Sequence, residues 1–366
     1  MSIVAISHLG SKLYDSLSRA IDNIGGFSVS GNTILIKPNL VLPVSYQTGE
    51  ITNPYLVEAM AQWCFDRGAR KVIIGEGPGY YQPESQFVDC FTKTGIKEVA
   101  ERTGAQWVLF DGHPFRTFHN VSDVTPDQFR ITRFVFDCDQ LINMPVMKTH
   151  YLTTVTLAMK NLKGCLKRED KPRFHHIDLH RAIIELNRLI RPALNVVDGT
   201  VALEAGGGAI VVSADVVAAD AVASSLMGID PGGVRTVRLG AEAGLGEMEL
   251  TRLDIRGDTL EQLKVKMALP RDEFKRRFPM LELTAEKACS GCLFPLFAAL
   301  SAMEAKGQHL KKALGIVVGE EAHLKAGKSY LFIGDCTEKW LDKGACVSGC
   351  PPSSEEIIRA LRKEIS

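Results

Sequence analysis

The apolar positions of the first 260 residues form short continuous runs, separated by stretches with helical periodicity. Residues 33–36, 71–74, 141–145 and 194–197 are such runs, and polar or glycine-rich residues follow each of them. Continuous apolar runs are typical of parallel strands that are covered on both faces. The pattern predicts an α/β fold, with one or more open, mostly parallel sheets and helices on both faces.

Between these runs, the chain carries helix start and stop signals. Residues 12–24 are amphipathic and end at Gly25-Gly26, and Asn53 can cap a helix that has Pro54 in its first position and ends near residue 67. Further elements are predicted as hairpin strands that include Thr117 and Arg133 within 106–137, a single short helix at 153–159, helices at 179–190, 214–227 and 234–243, and an edge strand at 250–255.

The last hundred residues read as a separate module. Residues 257–279 are highly charged and lack periodicity, so 261–283 is predicted as a linker. It joins a domain of residues 1–260, in one or two lobes, to a module of residues 284–366. Within this module, 284–306 is predicted as one long helix, and 314–318, 330–333 and 345–347 as parallel strands. A small C-terminal α/β module is therefore expected.

Overall charge and composition exclude some function classes. Acidic and basic residues balance at 43 each without long blocks, which argues against a nucleic-acid partner. No apolar run approaches roughly 18 residues, so no membrane insertion is expected. Nine cysteines without a recognisable signal peptide predict a cytoplasmic protein whose thiols serve metal or redox roles.

Five of the nine cysteines lie between residues 289 and 350. Cys289 and Cys292 form a Cys-x-x-Cys pair at a predicted helix start, and Cys336 and Cys350 follow predicted parallel strands. Four converging thiolates are the ligand set of a 4Fe-4S cluster or of zinc. One pair with scattered single cysteines, and a proline after Cys350, favour iron, with Cys346 as an alternate ligand. Zinc, a redox dithiol and plain buried thiols are the alternatives.

Polar residues are densest between 148 and 163. Lys148 and His150 precede the predicted helix 153–159, and Lys160, Asn161 and Lys163 follow it. Lysines and a histidine among apolar strands predict a cationic pocket for a carboxylate or phosphate. The alternative is that they are ordinary solvated loop residues.

Other candidates lie near the ends of predicted strands, where open α/β sheets bind ligands. Residues 75–79 lack the spacing of a phosphate-binding loop, so a tight turn that exposes Glu76 is the competing interpretation, and Asp198-Gly199 can likewise be a simple turn. The predicted catalytic residues are Lys148, His150, Lys160, Glu76 and Asp198, and the predicted substrate-binding residues are Lys37, Asn39, Thr52, Asn161 and Lys163.

Several separated motifs resemble the family called domain of unknown function 362. They are Ile-Lys-Pro-Asn-Leu-Val at 36–41, Gly-Glu-Gly-Pro at 75–78, Asn-Met-Pro-Val-Met-Lys-Thr-His at 143–150, Thr-Leu-Ala-Met-Lys-Asn-Leu-Lys-Gly at 156–164 and Val-Asp-Gly at 197–199. The resemblance covers roughly residues 3–255 and implies an associated iron–sulfur module, although this chain lacks ferredoxin repeats. More distantly, residues 150–164 resemble the nickel-pincer lactate racemase family, whose serine-glycine-glycine run is missing here.

These observations favour an iron–sulfur oxidoreductase that acts on a small anionic substrate and exchanges electrons with a redox partner protein. A non-catalytic iron–sulfur electron-transfer partner protein is the first alternative. The polar stretch at 148–163 distinguishes the two, because such a carrier has no need of a lysine-lined cleft. A metal-dependent racemase, isomerase or dehydratase is the second, and it keeps the cleft without the redox chemistry.

Overall fold

The computed structural model describes residues 1–77, 79, 87–175, 177–202, 208–310 and 312–363. The chain divides into two compact units, one of residues 1–171 and 180–267 and the other of residues 172–179 and 268–366. The strands of the first unit are β1 (Ile3–His8), β2 (Thr33–Pro38), β3 (Lys71–Glu76), β4 (Gln106–Leu109), β5 (Phe115–His119), β6 (Gln128–Thr132), β7 (Gln140–Met144), β8 (Lys148–His150), β9 (Thr154–Thr156), β10 (Leu194–Gly199), β11 (Ala209–Ser213) and β12 (Asp254–Gly257). Its helices are α1 (Leu13–Asn23), α2 (Pro54–Asp66), α3 (Phe87–Lys93), α4 (Ile96–Thr103), α5 (Phe134–Asp137), α6 (Ala158–Asn161), α7 (Leu179–Leu189), α8 (Val216–Leu226), α9 (Arg235–Glu242) and α10 (Leu260–Leu263).

The main sheet of the first unit is open and mostly parallel, as predicted. In the described residues its strand order is β12-β1-β11-β10-β7-β2-β3-β4. Neighbouring strands run parallel except around β11, which is antiparallel to both β1 and β10. The sequence patterns did not predict β11, because its apolar residues lie between a glycine run and the capped start of α8.

Burial of β2 on both faces explains its continuous apolar sequence. Ile34 and Ile36 pack in a core with residues of α1 and α2, whereas Leu35 points to the opposite face and is fully buried there as well. Helix α2 begins as expected, because the Asn53 side chain accepts a hydrogen bond from the Tyr55 N–H and Pro54 occupies the first turn.

The segment between β7 and α6 differs from the prediction. Residues 153–159 do not form one helix, because β8 and β9 pair as an antiparallel hairpin in which Lys148 lies opposite Thr156. The run Thr153-Thr154-Val155-Thr156 is β-branched throughout, and such residues favour extended backbone. Arg133 was also wrongly placed in a hairpin strand, since it precedes α5, whereas Thr117 lies in β5 as predicted.

The second unit has a small parallel sheet of its own. Its elements are α11 (Pro270–Arg277), β13 (Leu281–Thr284), α12 (Ser290–Glu304), β14 (Leu314–Val318), β15 (Tyr330–Ile333), β16 (Ala345–Val347) and α13 (Ser354–Lys363). The strands pair in the order β13-β14-β15-β16, all parallel. The helix predicted from residue 284 begins later, because residues up to Thr284 pair with β14 instead. None of the helices in the described residues is long and apolar enough to cross a membrane.

Candidate functional site

A buried ion pair joins the ends of two adjacent parallel strands. Lys37 on β2 and Glu76 on β3 are 0% and 2% exposed, and Lys37 Nζ lies 2.7 Å from Glu76 Oε2. The Nζ also contacts the carbonyl oxygen of Pro38 at 3.1 Å, and Glu76 Oε1 accepts the Gly77 N–H at 2.8 Å. The expectation of a turn that exposes Glu76 is therefore wrong, because β3 continues through this residue.

Gly164 closes over this pair. A Cβ atom at this position would overlap Glu76 Oε1 and lie 2.6 Å from Lys37 Nζ. Only glycine allows the backbone to approach the two charges so closely. The Lys-Asn-Leu-Lys-Gly stretch at 160–164 therefore covers the ion pair with its own backbone and excludes solvent from it.

A chain of buried amides extends from the ion pair across the sheet. Asn161 Oδ1 accepts hydrogen bonds from Lys37 Nζ at 3.3 Å and from Asn39 Nδ2 at 3.0 Å. Asn161 Nδ2 donates to Asn143 Oδ1 at 2.8 Å, and Asn143 Nδ2 donates to Asn195 Oδ1 at 3.0 Å. In the part of the chain that the structure describes, Asn39 Oδ1 is buried without a hydrogen-bond partner. It is one acceptor left open to a water or ligand.

Thr52 and Asp198 tie neighbouring loops to the sheet. The Thr52 hydroxyl accepts the Asn39 N–H at 2.8 Å and donates to the Met144 carbonyl at 2.7 Å. Asp198 Oδ2 accepts the Asn53 N–H at 2.7 Å, and its Oδ1 accepts the Thr200 N–H at 2.9 Å. Burial raises the pKa of Asp198 above its usual value, and these two backbone hydrogen bonds oppose the shift. Both side chains therefore fix the backbone of neighbouring loops by hydrogen bonds.

Lys148, His150, Lys160 and Lys163 form a cationic cluster beside this network. Lys148 Nζ contacts both the carbonyl oxygen and Oε2 of Glu50 at 2.8 Å, and half of the Glu50 side chain is exposed. Burial lowers the pKa of Lys148, and Glu50 opposes this.

His150 presents one nitrogen as a hydrogen-bond donor. Its Nδ1 lies 3.2 Å and 3.3 Å from the N–H groups of Leu152 and Thr153, which can only donate. The neutral ring therefore carries its proton on Nε2. Burial lowers the pKa of His150 well below its usual range, and the nearby lysines lower it further. The imidazole is neutral at physiological pH.

Lys160 is a lysine of the cluster whose pKa is strongly lowered. Its Nζ contacts Thr156 Oγ1 at 3.1 Å. Burial lowers the pKa of Lys160 well below its usual range, Lys163 and Lys148 lower it further, and Glu50 opposes them. A lysine that gives up its proton easily can act as a base or nucleophile, and a bound anion would restore its charge.

Asp220, which the sequence analysis did not select, anchors the helix that carries Lys160. Its Oδ1 accepts the Ala158 N–H at 2.6 Å, and its Oδ2 accepts the Met159 N–H at 3.1 Å. A single charged residue in α8 was a usable signal, but its partner Ala158 lies 62 residues away in sequence.

Asp220 also makes folding stability depend on pH. Burial raises the pKa of its carboxyl from 3.8 to about 7. The folded chain therefore holds a proton that the unfolded chain releases, and the free energy of unfolding falls between pH 4 and 7 by at most about 4 kcal/mol. Asp220→Asn should remove this fall, as measured by urea unfolding across the window. Parallel pH profiles of wild type and variant would contradict the assignment.

Four cysteines of the second unit converge, and we call them the thiol group: Cys289, Cys292, Cys336 and Cys350. Cys289 directly precedes α12, Cys292 lies in its first turn, and Cys336 and Cys350 follow β15 and β16. The Cys289 thiol, then burial, raises the pKa of Cys292 well above its usual range, and Cys336 and Cys350 add to the shift. Burial and, after it, Cys289 raise the pKa of both Cys336 and Cys350. The four side chains therefore interact.

Gly334 leaves room between these thiols. Its φ is +99°, and a Cβ here would lie 2.7 Å from Cys292 Sγ and 3.6 Å from Cys336 Sγ. Cys346 lies elsewhere, with its Sγ 3.8 Å from Thr337 Oγ1 and its side chain against the aromatic core of the unit. In the described residues, no group of three or more His, Cys, Asp or Glu side chains is arranged so that it could hold a metal ion.

The first unit is thus an α/β protein with a buried ion pair and a cationic cluster near the carboxyl edge of its sheet. The model of the family described as domain of unknown function (DUF362) matches residues 34–225, more than half of the chain. The chain belongs to this family, and the matched segment contains Lys37, Glu76, the cationic cluster and Asp220.

Individual proteins are similar to this chain as well. The thylakoid-associated protein sll1697 of Synechocystis sp. is 27% identical over 257 residues, which are 65% of this chain and 77% of the relative. The lactate racemase apoprotein of Thermoanaerobacterium thermosaccharolyticum superposes with a TM-score of 0.37 and 15% identity over 54% of this chain. The chain spans half the length of that racemase.

Proposed function

We propose that this protein is an iron–sulfur oxidoreductase that acts on a small anionic substrate. The observation that carries the proposal is the convergence of the four cysteines of the thiol group from one helix start and two strand ends. The cationic cluster of the first unit is the proposed substrate site. A redox partner protein would exchange electrons with the second unit.

The thiol group fits a 4Fe-4S cluster. Such a cluster takes four cysteine thiolates, each on a different iron, so the thiols need not surround a single ion. Gly334 keeps the space beside Cys292 and Cys336 free of a side chain. When bound, the cluster supplies one-electron transfer.

The cationic cluster fits a carboxylate or phosphate group. Lys148 and Lys160 can each donate several N–H groups to an anion, and His150 offers Nε2–H from a neutral ring. Glu50 opposes the lowered pKa of Lys160, and a bound anion would add a further negative charge near this lysine. A bound anion would therefore raise the pKa of Lys160 again.

Proton transfer without redox chemistry is the second candidate. A lysine with a strongly lowered pKa beside a neutral histidine can remove and return a proton at a carbon next to a carboxylate. A racemase, isomerase or dehydratase would use these groups, and the second unit would then be structural.

Anaerobic purification separates the two candidates. About four irons and matching sulfide per chain, with a visible spectrum bleached by dithionite, are expected for the cluster. A colourless protein with one zinc per chain would overturn the redox proposal and favour proton-transfer chemistry. An iron–sulfur protein that binds no small anion would instead be an electron-transfer partner protein.

Lys160→Met should weaken anion binding at least about tenfold, because one charge-assisted hydrogen bond is lost. Calorimetric titration with inorganic phosphate, malonate and lactate measures the effect. Lys71→Met is the matched control, since Lys71 is exposed at the opposite end of β3. Equal affinities of the two variants would refute the substrate site.

A further inference from the structure

Helix α8 contains a buried carboxylate, Asp220, on a helix that is otherwise uncharged. Every residue of α8 is buried, and Asp220 is its only charged residue. Burying a carboxylate costs several kcal/mol unless hydrogen bonds replace its water. In the described residues, both oxygens of Asp220 accept backbone N–H groups, and no cation forms an ion pair with it. The carboxylate is therefore placed to hold backbone.

The backbone that it holds is the start of α6. Ala158 and Met159 are the first two residues of this four-residue helix, which is too short to be stable by itself. From the other side, Asn187 Nδ2 donates to the Met159 carbonyl at 3.0 Å. Two buried side chains, on α8 and α7, therefore clamp the peptide at 158–159.

The next two residues belong to the two networks of the site. Lys160 reaches the cationic cluster, and Asn161 hydrogen-bonds with Lys37, Asn39 and Asn143. A shift of the α6 backbone would move both side chains together.

We propose that Asp220 is a positioning residue of the anion site: by holding the N–H groups of Ala158 and Met159, it sets the placement of Lys160. In the part of the chain that the structure describes, the Asp220 carboxyl accepts the N–H groups of Ala158 and Met159 and forms no hydrogen bond with Lys160, so it acts through the backbone of α6. The inference rests on the proposed anion-binding function of the cationic cluster.

Asp215 provides a control for a purely structural role. It caps α8 itself, where its Oδ1 accepts the N–H groups of Val217 and Ala218, each at 2.9 Å. Its Oδ2 accepts the Glu247 N–H at 3.0 Å. Asp215 and Asp220 therefore both hold helix-start backbone, but only Asp220 holds α6.

The test compares Asp220→Asn with Asp215→Asn in the full chain. An asparagine at 220 can accept one N–H but turns an NH2 group towards the other. Phosphate affinity is measured by calorimetry, and acetylation of Lys160 is followed by mass spectrometry across pH. We expect Asp220→Asn to weaken phosphate binding at least about fivefold and to shift the pH midpoint of Lys160 acetylation. Asp215→Asn should lower the melting temperature while both of those values stay at wild type.

Equal values for the two variants would overturn the proposal. If Asp220→Asn does not fold, Asp220→Ser and Asp215→Ser replace the pair, because a serine hydroxyl can still accept one N–H. If wild type binds no phosphate, the proposed substrate site fails, and the acetylation midpoint alone decides whether Asp220 positions Lys160.

Discussion

Replacing Cys336 with serine should remove most of the iron and sulfide from the protein, whereas Cys346→Ser should leave both in place. The Cys336 thiol interacts with Cys289 and Cys350, and its sulfur and that of Cys292 both lie close to Gly334. Cys346 packs instead against the core that contains Tyr330 and Phe332. Serine is a poor ligand for iron in a cluster that selects thiolates. Iron and sulfide analysis after anaerobic purification gives the result.

Cys346→Ser is a close control, because it makes the same chemical change ten residues away in the same small unit. Circular dichroism of both variants should report a folded protein. Loss of iron from both would make Cys346 a ligand, and retention of iron by both would show that the thiol group does not hold the cluster.

Breaking the buried ion pair should cost about 3–5 kcal/mol of unfolding free energy for either Lys37→Met or Glu76→Gln. Each substitution leaves the partner charge or its hydrogen-bonding groups buried under Gly164, where water cannot replace the lost contact. Lys37→Met with Glu76→Leu removes both charges, and this double variant should recover most of the loss. Urea unfolding of the three variants measures these differences.

Arg70→Met serves as the comparison for an exposed ion pair. Arg70 and Asp139 lie 3.3 Å apart, with 67% and 49% of their side chains exposed, and such a pair contributes at most about 1 kcal/mol. If Lys37→Met costs no more than Arg70→Met, the charges at 37 and 76 do not depend on each other. A double variant no more stable than the single ones would contradict the coupling as well.

The sequence singled out Lys37 and Glu76 separately, but not as a pair. Strands β2 and β3 continue two residues past their apolar runs, so Lys37 and Glu76 are still buried strand residues. Strand pairing and the cover supplied by Gly164 bring them together, and neither follows from local pattern. The same limit applies to Asn143 and Asn195, which bond to each other from separate strands.

The position of two cysteines at the same edge of the small sheet was easier to predict. Cys336 and Cys350 follow neighbouring parallel strands, and parallel strands end at one edge of a sheet. The α/β class followed from the continuous apolar runs for a similar reason, since such runs need cover on both faces. The hairpin of β8 and β9 was missed because its three-residue strands show no clear alternation, and the β-branched residues were the better signal.

Strand β1 is synthesised long before either of its neighbours. It lies between β11 and β12, which begin at Ala209 and Asp254. A ribosome that adds 5–20 residues per second needs roughly ten seconds or more to reach the second of them. Until β11 has been synthesised, the apolar Val4, Ala5 and Ile6 have both strand edges unpaired, and until β12 follows, one edge stays open to pairing with other strands. The last strand to be synthesised, β12, therefore pairs with the first one, β1, and the main sheet becomes complete only near the end of translation of the first unit.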